Sequence, residues 1–268
     1  MIAEPRKKNL NKLAIYLAEN FSEKNKTQLQ KLADAEDLPC HLDHYEDAFD
    51  GMLCYDDTGF HVHINIDRGN EFTTKRGRFT IAHELAHFFI DEHRIGLKNG
   101  TLPPHGSRHD IDHKDLIEQE ADYFASCLLM PDNLFRKFSG GPGKKFSLQT
   151  ILNLSDEFQS SVLSTALKFV EIGTHSVCIV VSENNRVKWS ARSYDFPKWA
   201  SRFKVGQALP PTTVAGEYFT KTDAKFTGVE AVQPNDWFFA HWDADRDMYE
   251  QCYYSESYGY VISVLLFD

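Results

Sequence analysis

The sequence predicts an α+β fold, in which a small antiparallel sheet packs on helices and a smaller mixed α/β domain follows. Three observations support this prediction. Helix-like apolar spacing recurs along most of the first 174 residues, strand-like runs interrupt it at 41–67, and strand-like runs rich in valine and tryptophan follow Gly173. Hydrophobic residues make up 42% of the chain, which is enough for well-packed cores. We therefore expect two domains, at residues 1–174 and 175–268.

The elements of the first domain follow from local patterns. Residues 1–40 contain two amphipathic segments, NLNKLAIYLAENF and TQLQKLADAE, which predict N-terminal helices. Residues 41–67 predict strands, because GMLCYDD and FHVHINI flank a DTG turn and form a hairpin pattern. Apolar spacing, with Pro131 and Gly173 as stops, predicts the remaining elements. These are an uninterrupted helix at 74–94, a helix at 114–130 and a helical tail at 132–172.

The second domain has a different composition. The runs SVCIVVS and RVKWSARS flank an ENN turn, the chain ends in YVISVLLFD, and all four tryptophans lie in this part. These features predict a small α/β module at 175–268. Its tryptophans could line a peptide groove or could simply form the core.

Charge and composition exclude several classes of protein. The net charge is −10 and both predicted domains are acidic, so we expect no direct binding to nucleic acid. No apolar run is long enough to span a membrane, and the N-terminal sequence MIAEPRKKNL lacks the apolar core of a signal peptide. The five cysteines show no CxxC spacing, which favours reduced thiols. We therefore expect a cytoplasmic protein without a membrane partner.

The segment RFTIAHELAHFFI, residues 78–90, contains the pattern HExxH. On a helix His83 and His87 lie one turn apart on the same face, where both can coordinate one Zn²⁺. Glu84 points about 100° away from His83, which suits a general base acting on metal-activated water. The alternative is a pair of structural histidines that bind backbone carbonyls. The apolar residues that surround the pattern on most sides favour the metal.

A catalytic zinc site needs a third protein ligand. The segment LIEQEADYFASCLLMP offers Glu118, and Asp122 one turn later can accept a hydrogen bond from a ligating histidine. Glu120 is a rival, but it projects from the other margin of the apolar stripe. His93 is a second rival. An uninterrupted helix would carry it more than a turn beyond His87, so we expect a polar helix end there.

These two segments together resemble the ImmA/IrrE family of metallopeptidases. The likeness covers about residues 27–172 and includes RFTIAHELAH and EQEADYFASCLLMP, with Ala86 where the family often has glycine. The resemblance implies a gluzincin-like protease with a thermolysin-like core and one Zn²⁺ per chain. It also implies that His83, His87 and Glu118 are ligands and that Glu84 is the general base.

The resemblance further implies a function in transcription regulation or the stress response. We expect a zinc-dependent endopeptidase that cleaves a specific regulatory protein, such as a helix-turn-helix repressor, while residues 175–268 sense a signal or select the substrate. One alternative is a metal-stabilised module that sequesters a partner without cleavage. Another is a zinc hydrolase of small peptides or amides.

Two further features bear on substrate binding. We expect residues 60–67 to form an edge strand that aligns a substrate backbone, with His61 and His63 as substrate-binding residues. These two histidines face the same side and could instead hold a second metal, although such alternation is most often a solvated sheet face. Tyr123 and the loop histidines His105, His109 and His113 are candidates for oxyanion stabilisation, but we favour a solvated loop and assign no oxyanion residue.

Overall fold

The computed structural model describes residues 2–104, 106–108, 115–140, 146–221, 225–240, 247–256 and 258–267. It contains helices and several small sheets, which confirms the α+β class. Two compact units are present. The first comprises Met1–Phe135 with Leu154–Ser161, and the second comprises Arg136–Asn153 with Val162–Asp268. This division groups much of the predicted helical tail with the C-terminal residues. The domain boundary near residue 174 stays a prediction.

The described elements follow the predicted order closely. The helices are α1 (Glu4–Phe21), α2 (Leu29–Ala35), α3 (Lys75–Phe89), α4 (Asp91–Lys98), α5 (Leu116–Leu129), α6 (Asp132–Ser139), α7 (Leu148–Glu157), α8 (Val162–Ile172), α9 (Val214–Thr220) and α10 (Pro234–Trp237). The strands are β1 (Ser22–Glu23), β2 (Lys26–Thr27), β3 (Cys40–Asp43), β4 (Gly51–Asp56), β5 (Gly59–Asn65), β6 (Val177–Glu183), β7 (Arg186–Arg192), β8 (Ala200–Ser201), β9 (Glu230–Val232), β10 (Phe238–Phe239), β11 (Met248–Ser255) and β12 (Tyr260–Phe267). None of the helices in the described part of the chain is long and apolar enough to cross a membrane.

The sheet of the first unit has the order β3-β5-β4. The predicted hairpin is confirmed, since β4 and β5 pair antiparallel from Gly51↔Ile64 to Asp56↔Gly59. The prediction of a small antiparallel sheet with an edge strand at 60–67 is wrong in two respects, the direction of one strand and the place of the strand at 60–67. β3 pairs in parallel with the other side of β5 at residues 62–65, so β5 is the central strand of the sheet. The backbone of residues 62–65 therefore has a strand on both sides and is not free to align a substrate.

One face of this sheet packs on α3. Alternate residues of the central strand, Val62 and Ile64, are fully buried together with Leu53 of β4. α5 packs against α3, and α1 packs against α5, so the motif helix is enclosed by helices on one side and by the sheet on the other. This two-layer arrangement explains why α3 is apolar on nearly every side.

The predicted uninterrupted helix at 74–94 is wrong, because the helix ends at Phe89 and a second helix begins at Asp91. Ile90 lies between the two helices. This residue has extended backbone angles, φ −81° and ψ 108°, and it ends α3 and caps α4 at once. The Ile90 side chain is buried, and its packing stabilises the connection between α3 and α4. Asp91 and Glu92 then lie in the first turn of α4, where acidic side chains interact favourably with the helix dipole. The break changes the position of His93, as described below.

The second unit is built on a five-stranded sheet with the order β7-β6-β12-β11-β9. Each described strand pair in it is antiparallel, so this unit is also α+β. α8 packs on β6 and β7, and α9 packs on β11. Two tryptophans belong to this core, since Trp237 is fully buried and Trp199 packs against the core. Trp189 lies on β7, and Trp242 lies outside the described residues.

Glu250 of β11 is a fully buried carboxylate at the centre of the second unit. It accepts hydrogen bonds from the backbone N–H groups of Val214 and Ala215 (2.9 and 3.1 Å), from Trp237 Nε1 (2.8 Å) and from Ser263 Oγ (2.9 Å). Burial raises the pKa of this carboxyl and these hydrogen bonds oppose that effect. The carboxylate therefore ties the first turn of α9, Trp237 and the sheet together.

Replacing Glu250 with alanine should destabilise the protein by about 3–5 kcal/mol, because several buried donors would lose their acceptor at once. Chemical denaturation of the full chain, followed by tryptophan fluorescence, measures the change in the free energy of unfolding. Glu230 lies opposite Glu250 in the sheet register and is a matched control. Glu230→Ala should change the free energy by about 0.5 kcal/mol or less. Equal effects of the two substitutions would contradict the assigned role.

Candidate metal centre

The motif helix α3 begins at a well-formed cap. Thr74 accepts a hydrogen bond from the Gly77 N–H at 3.0 Å, as is typical of helix N-termini. Further along the helix His83, Glu84 and His87 are only 2%, 1% and 4% exposed. Polar groups at such depth need partners, since burying them without any costs several kcal/mol.

The structure brings the three predicted ligands together. His83 Nε2 lies 3.2 Å from His87 Nε2 and 3.1 Å from Glu118 Oε2, and His87 Nε2 lies 3.4 Å from Glu118 Oε1. His83 and His87 share one face of α3, while Glu118 comes from the first turn of α5, which packs against α3. One atom from each residue lies within 4.8 Å of the other two, a spacing that allows all three to hold one ion.

The donor chemistry fits a divalent cation. His83 Nδ1 lies 2.9 Å from Asp122 Oδ1, and His87 Nδ1 lies 3.2 Å from His93 Nδ1. If each Nδ1 carries its proton outward, both Nε2 lone pairs and the Glu118 carboxylate converge on one small volume. Such a cluster repels itself unless a cation lies between the atoms. Two imidazoles and one carboxylate form a donor set used by catalytic zinc sites with three protein ligands.

The carboxylates around His83 also favour a positive charge at this point. Burial lowers the pKa of His83, but its hydrogen bonds to Asp122 and Glu118 outweigh burial and raise the pKa well above the ordinary value. The position between His83 Nε2 and Glu118 therefore attracts either a proton or a metal ion. Asp122 takes the place predicted for it, beside the Nδ1 of His83.

His93 is a buried partner of His87. The expected polar helix end is wrong, because the break at Ile90 turns α4 back and leaves His93 only 2% exposed. Its Nδ1 faces His87, and its Nε2 lies 3.3 Å from Glu120 Oε2. Burial and the neighbouring His87 lower the pKa of His93 to about 4, so the ring is neutral. Arg6 Nη2 binds Glu120 at 2.6 Å, which completes the chain of contacts.

His93 and Glu120, the two alternative ligands, therefore lie on the Nδ1 side of His87, away from the Nε2 atom that faces Glu118. A neutral His93 that donates from Nε2 to Glu120 has Nδ1 available to accept the His87 Nδ1–H. This arrangement directs His87 Nε2 towards Glu118 and fixes the tautomer that can bind a metal. We infer that His93 and Glu120 position His87 rather than coordinate the ion.

Replacing His93 with phenylalanine should weaken zinc binding by about 10–100-fold, the usual range for the loss of such an outer partner. Phenylalanine retains the ring volume and removes the hydrogen bond to His87. Competition with a chromophoric zinc chelator measures the affinity of the purified chain. His44→Phe is the control, because His44 is largely exposed and contacts Asp67. Unchanged affinity in the His93 variant would contradict the positioning role.

Glu84 is held beside the centre by residues that the sequence analysis did not identify. Ser107 Oγ donates to Glu84 Oε1 at 2.5 Å and also lies 3.0 Å from the Gly51 carbonyl oxygen, so the two acceptors share one hydroxyl proton. Ser107 forms an antiparallel bridge with Gly51 at the start of β4. A Cβ atom on Gly51 would lie 2.7 Å from Glu84 Oε1 and 2.8 Å from Thr80 Cγ2. The glycine therefore leaves room for the carboxylate.

The remaining predicted residues are not part of this cluster. His61 and His63 lie on β5, on the sheet face opposite Val62 and Ile64, and no contact links them to the three ligands among the described residues. Tyr123 contacts Lys7, whose Nζ lies 5.4 Å from the ring centroid. The loop histidines 105, 109 and 113 lie outside the described residues.

Comparison with known proteins finds a family model that matches the segment containing this site. Residues 63–169 match the model of Peptidase_M78, described as the IrrE N-terminal-like domain. These residues are similar to an IrrE N-terminal-like domain. The predicted likeness to the ImmA/IrrE family is thereby confirmed, and the matched segment includes α3, α4 and α5. Peptidase_M78 is a family of metallopeptidases, which supports a protease activity in general.

A solved structure supports the fold beyond the IrrE-like segment. A Mycobacterium tuberculosis transcriptional regulator aligns with a TM-score of 0.60 at 12% sequence identity, covering 97% of this chain and 76% of its own. At this identity the likeness concerns the fold alone. No curated protein matches the chain significantly.

Proposed function

We propose that the chain is a zinc-dependent endopeptidase with a thermolysin-like core. The observation that supports it best is the convergence of His83, His87 and Glu118 in a buried site of an IrrE-like domain. Glu84 follows His83 directly in the same helix and is held by Ser107. We assign the three converging residues as ligands of one Zn²⁺ and Glu84 as the general base.

The protein side chains have separate tasks in this mechanism. When bound, Zn²⁺ would supply Lewis-acid chemistry that polarises the scissile carbonyl and lowers the pKa of a water molecule. Glu84 accepts the proton of the attacking water and passes it to the leaving amine. Ser107 fixes the rotation of the Glu84 carboxylate through Oε1. Asp122 and His93 fix the tautomers of His83 and His87.

The space at Gly51 gives a direct test of how Glu84 is positioned. Gly51→Ala should lower the cleavage rate by about 10–100-fold, because an added methyl group displaces Glu84 and small misplacements of a catalytic group are costly. Zinc affinity should not change, because the atoms nearest the added methyl group belong to Glu84 and Thr80, which are not proposed ligands. Steady-state cleavage assays and zinc titrations of the same preparation measure both quantities. A normal rate would contradict the assigned position of Glu84.

The proposed substrate is a protein. The likeness to the ImmA/IrrE family makes a helix-turn-helix repressor the first candidate, and cleavage of such a repressor would act in transcription regulation or the stress response. The acidic chain itself is not expected to bind nucleic acid. We propose that residues 175–268 sense a signal or select the substrate, and that the protein acts in the cytoplasm.

Substrate capture tests this proposal. The full-length Glu84→Gln variant, loaded with zinc, is used to isolate bound proteins from the source cells, and mass spectrometry identifies them. Each captured protein is then incubated with the wild type and with the variant. The proposal predicts that at least one regulator is cleaved by the wild type and left intact by the variant.

Two other results would overturn the proposal. A partner that binds tightly and is cleaved by neither form would indicate a sequestering module. Cleavage of short peptides together with resistance of every captured protein would indicate a peptide or amide hydrolase. Casein, an unfolded protein, serves as the comparison for selectivity.

A further inference from the structure

A second group of metal-ligating side chains lies on the outer face of the β3-β5-β4 sheet. His61 and His63 alternate along β5 with the buried Val62 and Ile64, so they point away from the core. Cys54 lies directly across from His61 in the β4–β5 register. One donor atom each from Cys54, His61 and His63 lies within 4.8 Å of the others. All three side chains are half-buried.

One ring nitrogen of this cluster lacks a hydrogen-bond partner. His61 Nδ1 is buried and has no hydrogen-bond partner among the described residues. The other ring nitrogen, Nε2, lies 3.7 Å from Asp56 Oδ2, beyond hydrogen-bonding distance. A buried imidazole nitrogen without a partner is costly in a folded protein. A bound ion would satisfy it.

Neighbouring residues prepare His63 as a ligand. Tyr45 Oη lies 2.6 Å from His63 Nδ1, and in the tautomer in which Nδ1 donates to this oxygen the Nε2 lone pair can bind a metal. The His41 ring lies 5.4 Å from the His63 ring, measured between centroids. Burial and the neighbouring His61 and His41 lower the pKa of His63.

The surface also allows an ion to enter. A cleft of about 390 Å³ opens over this part of the sheet, and His41, Asp56, His61 and His63 are among the residues that line it. A water molecule from the cleft can complete a tetrahedral shell.

We propose that Cys54, His61 and His63 bind a second transition-metal ion, Zn²⁺, in a site separate from the candidate centre on α3 and α5. One thiolate and two imidazoles are ligands that Zn²⁺ prefers. Binding releases the thiol proton of Cys54 to solvent, and the new S–Zn bond replaces the S–H bond. Because the ligands come from two adjacent strands, the ion would cross-link β4 and β5. The proposal does not depend on protease activity.

Cobalt substitution tests this site selectively. The full-length protein is stripped of metal with a chelator and titrated with Co²⁺ under reducing, anaerobic conditions. A thiolate ligand gives a charge-transfer band in the near ultraviolet, whereas a centre of two histidines and a glutamate gives none. We expect two bound cobalt ions per chain in the wild type, one of which produces the band.

Variants assign the band to individual residues. Cys54→Ser should abolish the band and reduce the stoichiometry to one ion per chain. Cys40→Ser is the matched control, because Cys40 is a half-buried cysteine on the adjacent strand β3 and lies in register with Val62. It should leave the band unchanged. A His83→Ala/His87→Ala double variant should keep the band, which separates failure of this site from failure of the proposed protease centre.

Cobalt titration of the wild type alone can overturn the proposal, even if a variant fails to fold. Absence of the thiolate band at saturating cobalt would exclude the site. Persistence of the band in folded Cys54→Ser would assign it to another cysteine and would also exclude the site. X-ray absorption at the zinc edge gives an independent measurement, since a wild type loaded with two ions should show sulfur scattering that Cys54→Ser lacks.

Discussion

Replacing Glu84 with glutamine is expected to lower the cleavage rate by about 10²–10⁴-fold while zinc remains bound, because the loss of a general base typically costs that much. Glutamine has nearly the same shape and can still accept the Ser107 hydrogen bond. It cannot take up the proton of water. The three proposed ligands are unchanged, so metal content measured by elemental analysis should equal that of the wild type.

The control for this substitution is Glu71→Gln, an exposed glutamate just before α3 that contacts Thr73. It should cleave at the wild-type rate. Full activity of Glu84→Gln would remove Glu84 from the mechanism. Loss of zinc in that variant would instead mean that Glu84 is a ligand, which contradicts the assignment of Glu118.

The sequence was sufficient to predict the arrangement of the candidate metal centre because helix geometry is regular. A four-residue spacing places His83 and His87 on one face, and the same spacing places Asp122 one turn beyond Glu118. Each helix has a strong apolar stripe that determines which side faces its neighbour. The structure brings these four residues together at 2.9–3.4 Å.

Features that depend on irregular backbone or distant chain segments were not predictable. The break at Ile90 requires no proline or glycine, so local sequence gave little indication that His93 would turn back towards His87. Ser107 comes from a loop whose only link to Glu84 is tertiary. The parallel pairing of β3 places β5 at the centre of the sheet, and the alternation of its residues is the same for a central or an edge strand.

The choice between Glu118 and Glu120 gives the second large expected effect. Both glutamates are buried on α5, two residues apart. Glu118 contacts the Nε2 atoms of both motif histidines, whereas Glu120 contacts His93 and Arg6. Glu118→Ala should therefore remove a ligand and abolish stoichiometric zinc binding. Glu120→Ala should weaken zinc binding by only about 10–100-fold, because it disturbs His87 indirectly.

Zinc titration of the two variants, with thermal unfolding measured in the presence and absence of zinc, separates these effects. An ion that binds only the folded state raises its stability in proportion to the logarithm of the free concentration over the dissociation constant. Excess zinc should therefore raise the unfolding temperature of the wild type and of Glu120→Ala, but not that of Glu118→Ala at the same concentration. The Cys54→Ser background removes any contribution from the second site. If Glu120→Ala loses zinc completely and Glu118→Ala retains it, the carboxylate ligand has been assigned to the wrong residue of α5.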